Sequence, residues 1–533
     1  MASSEKAWPE LIAEQLAEKN LKEYTCHGMW TPSGYFHIGN ARVEYFVPEL
    51  VYEALIAKGL KAKFNFLADD FDPMDKIPGN LPIKEKDFEQ YKGVPYYNIP
   101  SPFPEYKSWA SCFTEKLFEA IEDFGAVPNR ISCYESYKKG LYNEKIKTAL
   151  DNAQKVVRIW NEITGTEKEQ KFLPIQVLCE NCGKLSFTEA SNWDGKGVEY
   201  TCKRESGGCG HSAKTRPFDG RAKLHWRIHW PAGWSVFNVS FESGGKDHFA
   251  HGGSVDTGKA FAKEIFGMEA PLLYGTEFIQ LRGAKMSGSV GNVIDLQEWL
   301  KVAKPEIFRF MNLSYRPGSA IEFSLNDNSF PLLIERYEQA ERVYYGKEKL
   351  RDEKLTETAK KDYALSQMRK ARKEMPVQIP FALQTLVAQI AEPEKNIAKA
   401  LEILAETKHI SAEQAKVQKT EIRQQLLRAK YWLENYAPEE MKIRFLEKAP
   451  ASLEYDSKTR EVFKEIAVQL PNAKSPEEIQ TLAYNSAKQH ALQPRELFKK
   501  LYLITIGKEQ GPKFGSLAIA IGIDKIIKRL KEI

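Results

Sequence analysis

Residues 22–72 read KEYTCHGMWTPSGYFHIGNARVEYFVPELVYEALIAKGLKAKFNFLADDFD, and this stretch decides the fold. Lys22–Trp30 predicts a buried strand, which ends in the turn-forming sequence TPSG. Apolar residues then recur with helical spacing from Asn40 to Gly59, with a kink at Pro48. The KAKFNFLA segment alternates polar and apolar residues, as a second strand does. A strand, a glycine-containing turn, a helix and a strand predict the start of a doubly wound α/β domain.

The rest of the chain predicts an interrupted sheet followed by a helical half. Residues 1–320 are predicted to form a Rossmann-type parallel sheet with an insertion at about 71–216. Strand-like runs, Trp-rich turns and glycine loops resume the sheet at 223–292. Residues 321–345 form a connecting segment. In 346–533 glycine is scarce and long amphipathic stretches predict an all-α domain.

Length and composition limit the class of protein. A chain of 533 residues exceeds the usual size of one core, and its 28% charged and 42% hydrophobic residues are ordinary for soluble globular proteins. The first twenty residues lack a signal-peptide pattern, and the apolar runs are too short to span a bilayer. Four of the seven cysteines are clustered, which suits a reducing compartment better than a disulfide scaffold. We therefore expect a cytoplasmic protein with no membrane partner.

The net charge of +5 is unevenly distributed. Residues 494–533 hold nine Lys or Arg against four Asp or Glu. A basic C-terminal end indicates a polyanionic partner there. The alternative is that these lysines only solubilise an amphipathic helix.

The sequence TPSGYFHIGN, Thr31–Asn40, predicts a site for a phosphate. It lies between a strand and a helix, where backbone N–H groups and the helix dipole favour an anion. His37 and Asn40 are three residues apart and project from one side of the first helical turn, where both can hydrogen-bond phosphate oxygens. Gly39 leaves room for a flat base close to the backbone. The alternative is a plain turn with a satisfied histidine.

A second motif, KMSGS at Lys285–Ser289, lies in a glycine-flanked loop. A lysine among glycines and hydroxyls predicts a mobile cationic clamp for a polyphosphate. The two motifs occur in this order on opposite sides of the insertion. Together they predict a nucleoside triphosphate held between them.

Four cysteines in two pairs predict a metal site within residues 173–216. They are spaced as tetrahedral Zn²⁺ requires, among several glycines, and a closed four-thiolate site is structural. The predicted ligands are Cys179, Cys182, Cys202 and Cys209. The second pair is spaced more widely than usual, so His211 is an alternative to Cys209.

HIGN and KMSGS resemble the HIGH and KMSKS signatures of the class I aminoacyl-tRNA synthetases. The longer sequences TPSGYFHIGN, DDFD with KIPGNLP, WRIHWPAGW, GGKDHFAHGGS and KMSGSVGN resemble the class I lysyl-tRNA synthetases in particular. The likeness continues through YAPEEMKIRFLEK to IGKEQGPK, near the C-terminus. The resemblance therefore covers nearly the whole chain.

The resemblance implies activation of lysine by ATP, with Mg²⁺, and transfer of the lysyl group to tRNA(Lys). It assigns stabilisation of the transition state to His37 and Asn40, and retention of the leaving pyrophosphate to Lys285. It assigns the ATP ribose to Asp247. The other residues implied at the ATP site are Gly39, Gly245 and Ser287.

The resemblance also implies a lysine pocket that includes Thr31, Trp226 and His248. Trp226 has a competing interpretation, because Trp230 and Trp234 follow it at four-residue spacing and all three can be core. Thr276 stands where the family usually has a pocket tyrosine. The carboxylates considered for the substrate ammonium are Asp69, Asp70 and Glu277, and the sequence does not choose between them.

Three departures from the family pattern affect the assignment of lysine. Met29 and Trp30 replace the usual Gly-Ile, Thr276 replaces tyrosine, and Val290 replaces lysine after the second motif. The alternatives are a class I synthetase for another amino acid and a non-catalytic tRNA-binding paralogue. Glutamate specificity would need a basic pocket residue, and Lys246 is the obvious candidate.

Two further expectations follow from the resemblance. Archaeal relatives carry a second metal cluster, but the matching residues here (Ser101, Glu105, Tyr106 and Cys112) are poor zinc ligands, so we predict one zinc. The C-terminal helices would bind the anticodon. Candidate stacking aromatics are Tyr431, Trp432, Tyr436 and Phe445, of which most are expected to be core.

Overall fold

The computed structural model contains a five-stranded parallel sheet. Its strands are β1 (Tyr24–Trp30), β2 (Ala62–Ala68), β3 (Asn129–Ser132), β4 (Phe241–Gly245) and β5 (Leu272–Thr276). They lie in the order β3-β2-β1-β4-β5, and every neighbouring pair is parallel. β1 and β4 are almost wholly buried, as expected for a sheet covered on both faces. The prediction of a doubly wound α/β fold is confirmed.

The structure describes residues 6–281, 284–285, 293–368, 370–450, 455–473 and 475–533. They divide into two compact units. The first unit runs to Trp299 and also includes Phe308–Phe323 and Arg351–Lys370. The second unit comprises Leu300–Ile307, Ser324–Leu350 and Ala371–Ile533. Within these ranges, no helix has both the length and the apolar character needed to cross a membrane.

The order of the strands positions a ligand site. The chain passes from β1 outward to β2 and β3, and later returns to add β4 and β5 on the other side of β1. The direction of strand addition therefore reverses between β1 and β4. In open α/β sheets, ligands bind at the carboxyl ends of the strands at such a reversal. The turns that follow Trp30 and Gly245 meet at this edge.

The helical segment after β1 contains one irregular turn. It comprises Ile38–Asn40, a π-helical turn at Ala41–Phe46, and the helix Val47–Ala57. Pro48 lies in the first turn of that last helix, where its missing N–H needs no partner. The kink predicted at Pro48 is thus a widened turn just before it. Such turns are frequent at functional sites.

The π-helical turn packs tightly against the sheet. A Cβ atom at Gly28, in the middle of β1, would lie 1.9 Å from the Glu44 carbonyl oxygen, so only glycine fits there. From β4, the Ser243 hydroxyl donates to the Val43 carbonyl oxygen at 2.7 Å. These two contacts fix the start of the helix over the carboxyl ends of β1 and β4.

Two sequence expectations for the first unit need correction. The predicted insertion, 71–216, contains β3, which pairs with β2 in the main sheet. This strand has only four residues and none is fully buried, so it has no apolar pattern to reveal it. The Trp-rich segment was expected to form turns, but Trp226–Val236 is a helix with Pro231 inside it.

The remaining elements of the first unit surround the sheet. Two small antiparallel sheets pair Ile175–Val177 with Ala222–Leu224, and join Thr188–Ser191, Val198–Cys202 and Ser212–Thr215. A third small sheet contains Ile279–Leu281, Ala284–Lys285 and Ile321–Glu322. The other helices are Trp8–Ala17, Trp109–Ile121, Cys133–Lys138, Asn143–Asp151, Ala153–Thr164, Ser254–Glu264 and Glu353–Ser366.

The second unit is helical, as predicted for the C-terminal part of the chain. Two helices, Leu296–Val302 and Pro305–Ser314, include residues of both units. Its other helices are Ser329–Tyr344, Phe381–Ala391, Ile397–Glu406, Ala412–Val417, Lys419–Asn435, Ser457–Gln469, Pro476–Gln489, Pro494–Ile506, Phe514–Ile521 and Ile523–Lys531. The apolar faces of the helices from Phe381–Ala391 onward form one core.

Candidate functional site

A cavity lies at the carboxyl ends of β1 and β4, where the strand order reverses. One side is formed by the helix start after β1 and the other by the turn after β4 and the strand after β5. Its lining residues are His37, Gly39, Asn40, Val43, Glu44, Gly245, Asp247, His248, Phe278 and Ile279. Five of the residues predicted from the sequence for the ATP or catalytic site are therefore brought together.

His37 caps the helix that begins at Ile38. Its Nδ1 accepts hydrogen bonds from the backbone N–H groups of Gly39, at 3.1 Å, and Asn40, at 3.2 Å. A neutral imidazole that accepts at Nδ1 carries its proton on Nε2. His37 is therefore a hydrogen-bond donor at Nε2. The same bonds correct one expectation: these two amides are already satisfied and are not the groups that would bind a phosphate.

Gly245 and Asp247 form the opposite wall. Asp247 lies in the 3₁₀ turn Lys246–Phe249, directly after β4. A Cβ atom at Gly245 would lie 3.3 Å from Cε1 of Phe278, so glycine leaves space between this turn and the Phe278 ring. A carboxylate that faces a donor-bearing helix start across a cavity suits a ligand with both hydroxyl and phosphate groups.

The second motif is attached to a hairpin beside this cavity. Ile279, which lines the cavity, begins the strand Ile279–Leu281, and Gln280 pairs with Lys285. The same strand packs against the helix Ile38–Asn40. The side chain of Lys285 and all of residues 286–292, including Ser287, lie outside the described residues. The backbone nevertheless places the start of KMSGS close to HIGN.

Beside the cavity, Trp226 and His248 form an aromatic wall. Trp226 is half-buried, stacks on Trp230 with ring centroids 5.3 Å apart, and lies 5.8 Å from His248. Trp230 and Trp234 are core residues, whereas Trp226 keeps a surface next to the cavity. Thr31, also half-buried, follows β1 at the same edge.

The structure argues against two predicted pocket residues. Thr276 has no exposed surface and its hydroxyl hydrogen-bonds that of Ser243 at 3.0 Å, so it supports β4 rather than facing a ligand. Asp69 is 1% exposed, and both of its carboxylate oxygens accept hydrogen bonds from the Lys223 ammonium at 2.8 Å. A carboxylate already neutralised by an internal lysine is not available to a substrate cation.

The other two carboxylates considered for the substrate ammonium also have partners. Asp70 accepts hydrogen bonds from the Ser132 hydroxyl at 2.6 Å and from the Tyr134 amide at 2.8 Å. Burial nevertheless raises the pKa of Asp70 to about 6. Glu277 pairs with Lys246 at 2.7 Å. This pairing also neutralises Lys246, the basic residue that glutamate specificity would need.

The two residues that replace the family's Gly-Ile occupy different places. Trp30 is 8% exposed and packs edge-on against Phe36, with ring centroids 5.0 Å apart. Met29 is half-buried and packs between two apolar clusters, one of which contains Trp230 and Trp234. Met29 therefore fills volume beside the aromatic wall, and Trp30 belongs to the core.

The four predicted metal ligands converge. The Sγ atoms of Cys179, Cys182, Cys202 and Cys209 all lie within 4.8 Å of one another. The Cys179–Cys209 pair is 3.6 Å apart and the Cys182–Cys202 pair is 3.7 Å apart. A tetrahedron with Zn–S bonds of about 2.3 Å has edges of about 3.8 Å, so four thiolates at these distances fit Zn²⁺. Cys209, rather than His211, completes the set.

One other group in the described residues has metal-ligand chemistry: Asp69, Cys133 and His229. All three are fully buried, but the ammonium of Lys223 already occupies the carboxylate of Asp69. Burial lowers the pKa of His229 well below its usual value, with a further contribution from Lys223. This group therefore holds a lysine ammonium and not a metal.

Of the four aromatics considered in the helical unit, only Trp432 is fully buried, and its indole N–H donates to the Leu325 carbonyl oxygen at 2.8 Å. Tyr431, Tyr436 and Phe445 are half-buried. Fewer of them are core than their helical spacing predicts.

Comparison with known proteins identifies the family. A family model described as tRNA synthetases class I (K) matches residues 6–369. The chain is 36% identical over 534 residues to a lysine–tRNA ligase of Methanocaldococcus jannaschii, covering 98% of this chain and 99% of that protein. It is 34% identical to the lysine–tRNA ligases of Methanococcus maripaludis and Pyrococcus horikoshii, again covering 98% of this chain and 99% of each. The chain therefore belongs to the class I (K) tRNA synthetases.

Proposed function

We propose that this protein is a lysine–tRNA ligase, which activates lysine with ATP and transfers it to the 3′ end of tRNA(Lys). The observation that carries the proposal is the cavity where the order of strand addition reverses, with His37 and Asn40 facing Gly245 and Asp247. The family-wide likeness to lysine–tRNA ligases supports lysine as the amino acid.

In the first step, a carboxylate oxygen of lysine attacks the α-phosphorus of ATP. A new P–O bond forms, the bond to the β-phosphate oxygen breaks, and pyrophosphate leaves with the electron pair. The protein positions the reactants and stabilises developing negative charge. In the second step, a ribose hydroxyl of the terminal tRNA nucleotide attacks the activated carbonyl carbon, and AMP leaves.

The cavity residues take distinct roles in the first step. The Nε2–H of His37 and the side-chain amide of Asn40 donate to α-phosphate oxygens, and Gly39 and Gly245 leave room for the nucleoside. Asp247 accepts hydrogen bonds from the ribose hydroxyls. Lys285, with Ser287, holds the leaving pyrophosphate. Mg²⁺ bound to the ATP phosphates supplies further charge neutralisation.

The proposal also assigns the lysine pocket, the zinc site and the parts that bind tRNA. Thr31, Trp226 and His248 line the lysine pocket. The four cysteines hold one structural Zn²⁺, and the segment 173–216 is the zinc-binding part of the catalytic domain. The helical domain, 346–533, binds the anticodon, and its basic end contacts tRNA phosphates.

The test is charging of total tRNA with labelled lysine. The wild type is expected to charge lysine and not glutamate, and His37→Ala is expected to lower kcat by about 100- to 1,000-fold, as loss of one transition-state donor does. The matched control is His251→Ala, because the side chain of His251 is fully exposed outside the cavity lining.

Charging of a different amino acid by the wild type would favour a synthetase of other specificity. Charging of none, with tRNA still bound, would favour the non-catalytic paralogue. Equal rates for the wild type and His37→Ala would remove His37 from the mechanism.

A further inference from the structure

We propose that Glu242 is the residue that recognises the side-chain ammonium of the amino acid substrate. The inference rests on the proposed charging of lysine and supplies a carboxylate where Asp69 and Glu277 are paired with lysines and Asp70 accepts two internal hydrogen bonds. Trp226 and Trp230 would line the path of the substrate methylenes, and Glu242 would lie at its end.

Glu242 is on β4, beneath the aromatic wall. It is 2% exposed, and its strand neighbours in register are His27 on β1 and Leu273 on β5. Residues in register on parallel strands project from the same face, so His27 and Glu242 lie side by side. The helix Trp226–Val236 covers this face, and the indole N–H of Trp234 donates to Oε2 of Glu242 at 2.6 Å.

Among the residues that the structure describes, the carboxyl group of Glu242 has no cationic partner. Within the described parts of the chain, no Lys, Arg or His nitrogen forms an ion pair with it, unlike Asp69 and Glu277. Burial raises its pKa to about 8, and the indole N–H groups of Trp230 and Trp234 limit the rise. The ionised form of such a buried carboxyl group is costly without a cation, and a ligand ammonium would stabilise it.

Two buried acceptor atoms on neighbouring side chains lack hydrogen-bond partners, the Tyr142 hydroxyl oxygen and Nδ1 of His27, as does the donor Nε1 of Trp230. The rings of Tyr142 and His27 both pack against Phe237, with centroids 6.2 Å and 5.7 Å from its ring, respectively. The charge of Glu242 contributes to raising the pKa of Tyr142. A lysine ammonium has three donors and no acceptor. One carboxylate and these two atoms provide three acceptors.

The aromatic wall connects this group with the cavity. The Trp230 ring lies 5.5 Å from His248, which lines the cavity, and its indole N–H also reaches the vicinity of Glu242. Glu242 precedes Gly245 by three residues, which is about 10 Å along a strand. The four-carbon stem of lysine, with its ammonium, would span this distance if it displaced the side chains packed along the Trp226 and Trp230 faces.

Steady-state charging by Glu242→Gln tests the proposal. The glutamine oxygen can still accept from Trp234, so the fold is expected to persist while the charge is lost. The KM for lysine is expected to rise at least about 30-fold, as when a buried charge pair loses one partner. The kcat and the KM for ATP should stay within about threefold. The matched control is Glu122→Gln, on an exposed carboxylate paired with Arg130.

A second measurement on the wild type does not depend on how the variant folds. Lysine binds the ionised carboxylate, so the KM for lysine should fall about tenfold per pH unit between pH 6 and 7.5. The facing groups do not titrate there: burial lowers the pKa of His27 to about 3, lowers that of His229 and raises that of Tyr142. Leu273, Trp230 and Trp234 have no charge to contribute.

The outcomes separate this inference from the proposed function. Normal lysine charging with an unchanged KM for lysine in Glu242→Gln would overturn the inference alone, and so would a wild-type KM that does not vary with pH. Norleucine, which lacks the ammonium, should inhibit both proteins equally. Failure of the wild type to charge lysine would overturn the proposed function and this inference together.

Discussion

Lys223→Met is expected to lower the free energy of unfolding of the first unit by about 3–5 kcal/mol, because a buried ion pair loses one partner. The Lys223 side chain is 2% exposed, and its ammonium contacts Asp69 at 2.8 Å and Asp72 at 2.9 Å. Burial alone would lower the pKa of Lys223, but the two carboxylates raise it above its usual value. Methionine would leave both carboxylates without their cation.

Lys223 links a small antiparallel sheet to the edge of the main sheet. Its strand, Ala222–Leu224, pairs with Ile175–Val177, whereas Asp69 directly follows β2 at the carboxyl edge of the main sheet. The ion pair therefore fastens the strand that follows the inserted region to the edge that carries the cavity. We expect the variant to lose charging activity at temperatures where the wild type remains folded.

Thermal unfolding of the two proteins measures the effect, with an expected decrease in Tm of about 10 °C. The matched control is Lys214→Met, since Lys214 pairs with Asp194 at 2.6 Å but is 57% exposed. An exposed pair contributes about 1 kcal/mol or less. Asp69→Asn added to Lys223→Met should recover part of the loss. A Tm for Lys223→Met equal to that of the control would contradict this account.

The elements that the sequence predicted well are those with a strong local pattern. β1 and β2 alternate or run apolar over seven residues each, and TPSG separates β1 from a helix with regular apolar spacing. The HIGN motif predicted one side of the cavity because its chemistry is carried by residues close together in the chain. The two cysteine pairs predicted their own convergence for the same reason.

The features that the sequence did not reveal depend on distant contacts. Lys223 is 154 residues from Asp69, and nothing in the local sequence AKL distinguishes it from a surface lysine. In the sequence, Glu242 is a single polar residue within a predicted strand. It is buried because the helix Trp226–Val236 covers that face of the sheet. From the sequence alone Asp69 is a candidate substrate ligand, because its internal partner, Lys223, is distant in the chain.

Cys182→Ser is expected to remove the single equivalent of zinc that we propose for the wild-type protein. Metal content of the purified proteins measures this directly. Structural zinc sites contribute about 10–16 kcal/mol of apparent binding free energy, so loss of a ligand should be decisive. The matched control is Cys112→Ser, at a buried cysteine outside the four-thiolate cluster, which should retain one equivalent.

Loss of zinc should also unfold the segment that the cysteines hold together. Its three antiparallel strands have only four or five residues each, and the buried apolar residues of 173–216 other than the cysteines (Ile175, Val177, Leu185, Ala190, Val198 and Tyr200) join the core of the first unit. Strands this short are marginal on their own, so we expect the zinc to constrain them further. We expect trypsin to cut Cys182→Ser at Lys196, Lys203 or Arg204 at least about tenfold faster than the wild type, since cleavage follows the population of the open state. Two equivalents of zinc in the wild type would contradict the single site. Unchanged proteolysis after complete zinc loss would mean that the strands are held by their packing alone.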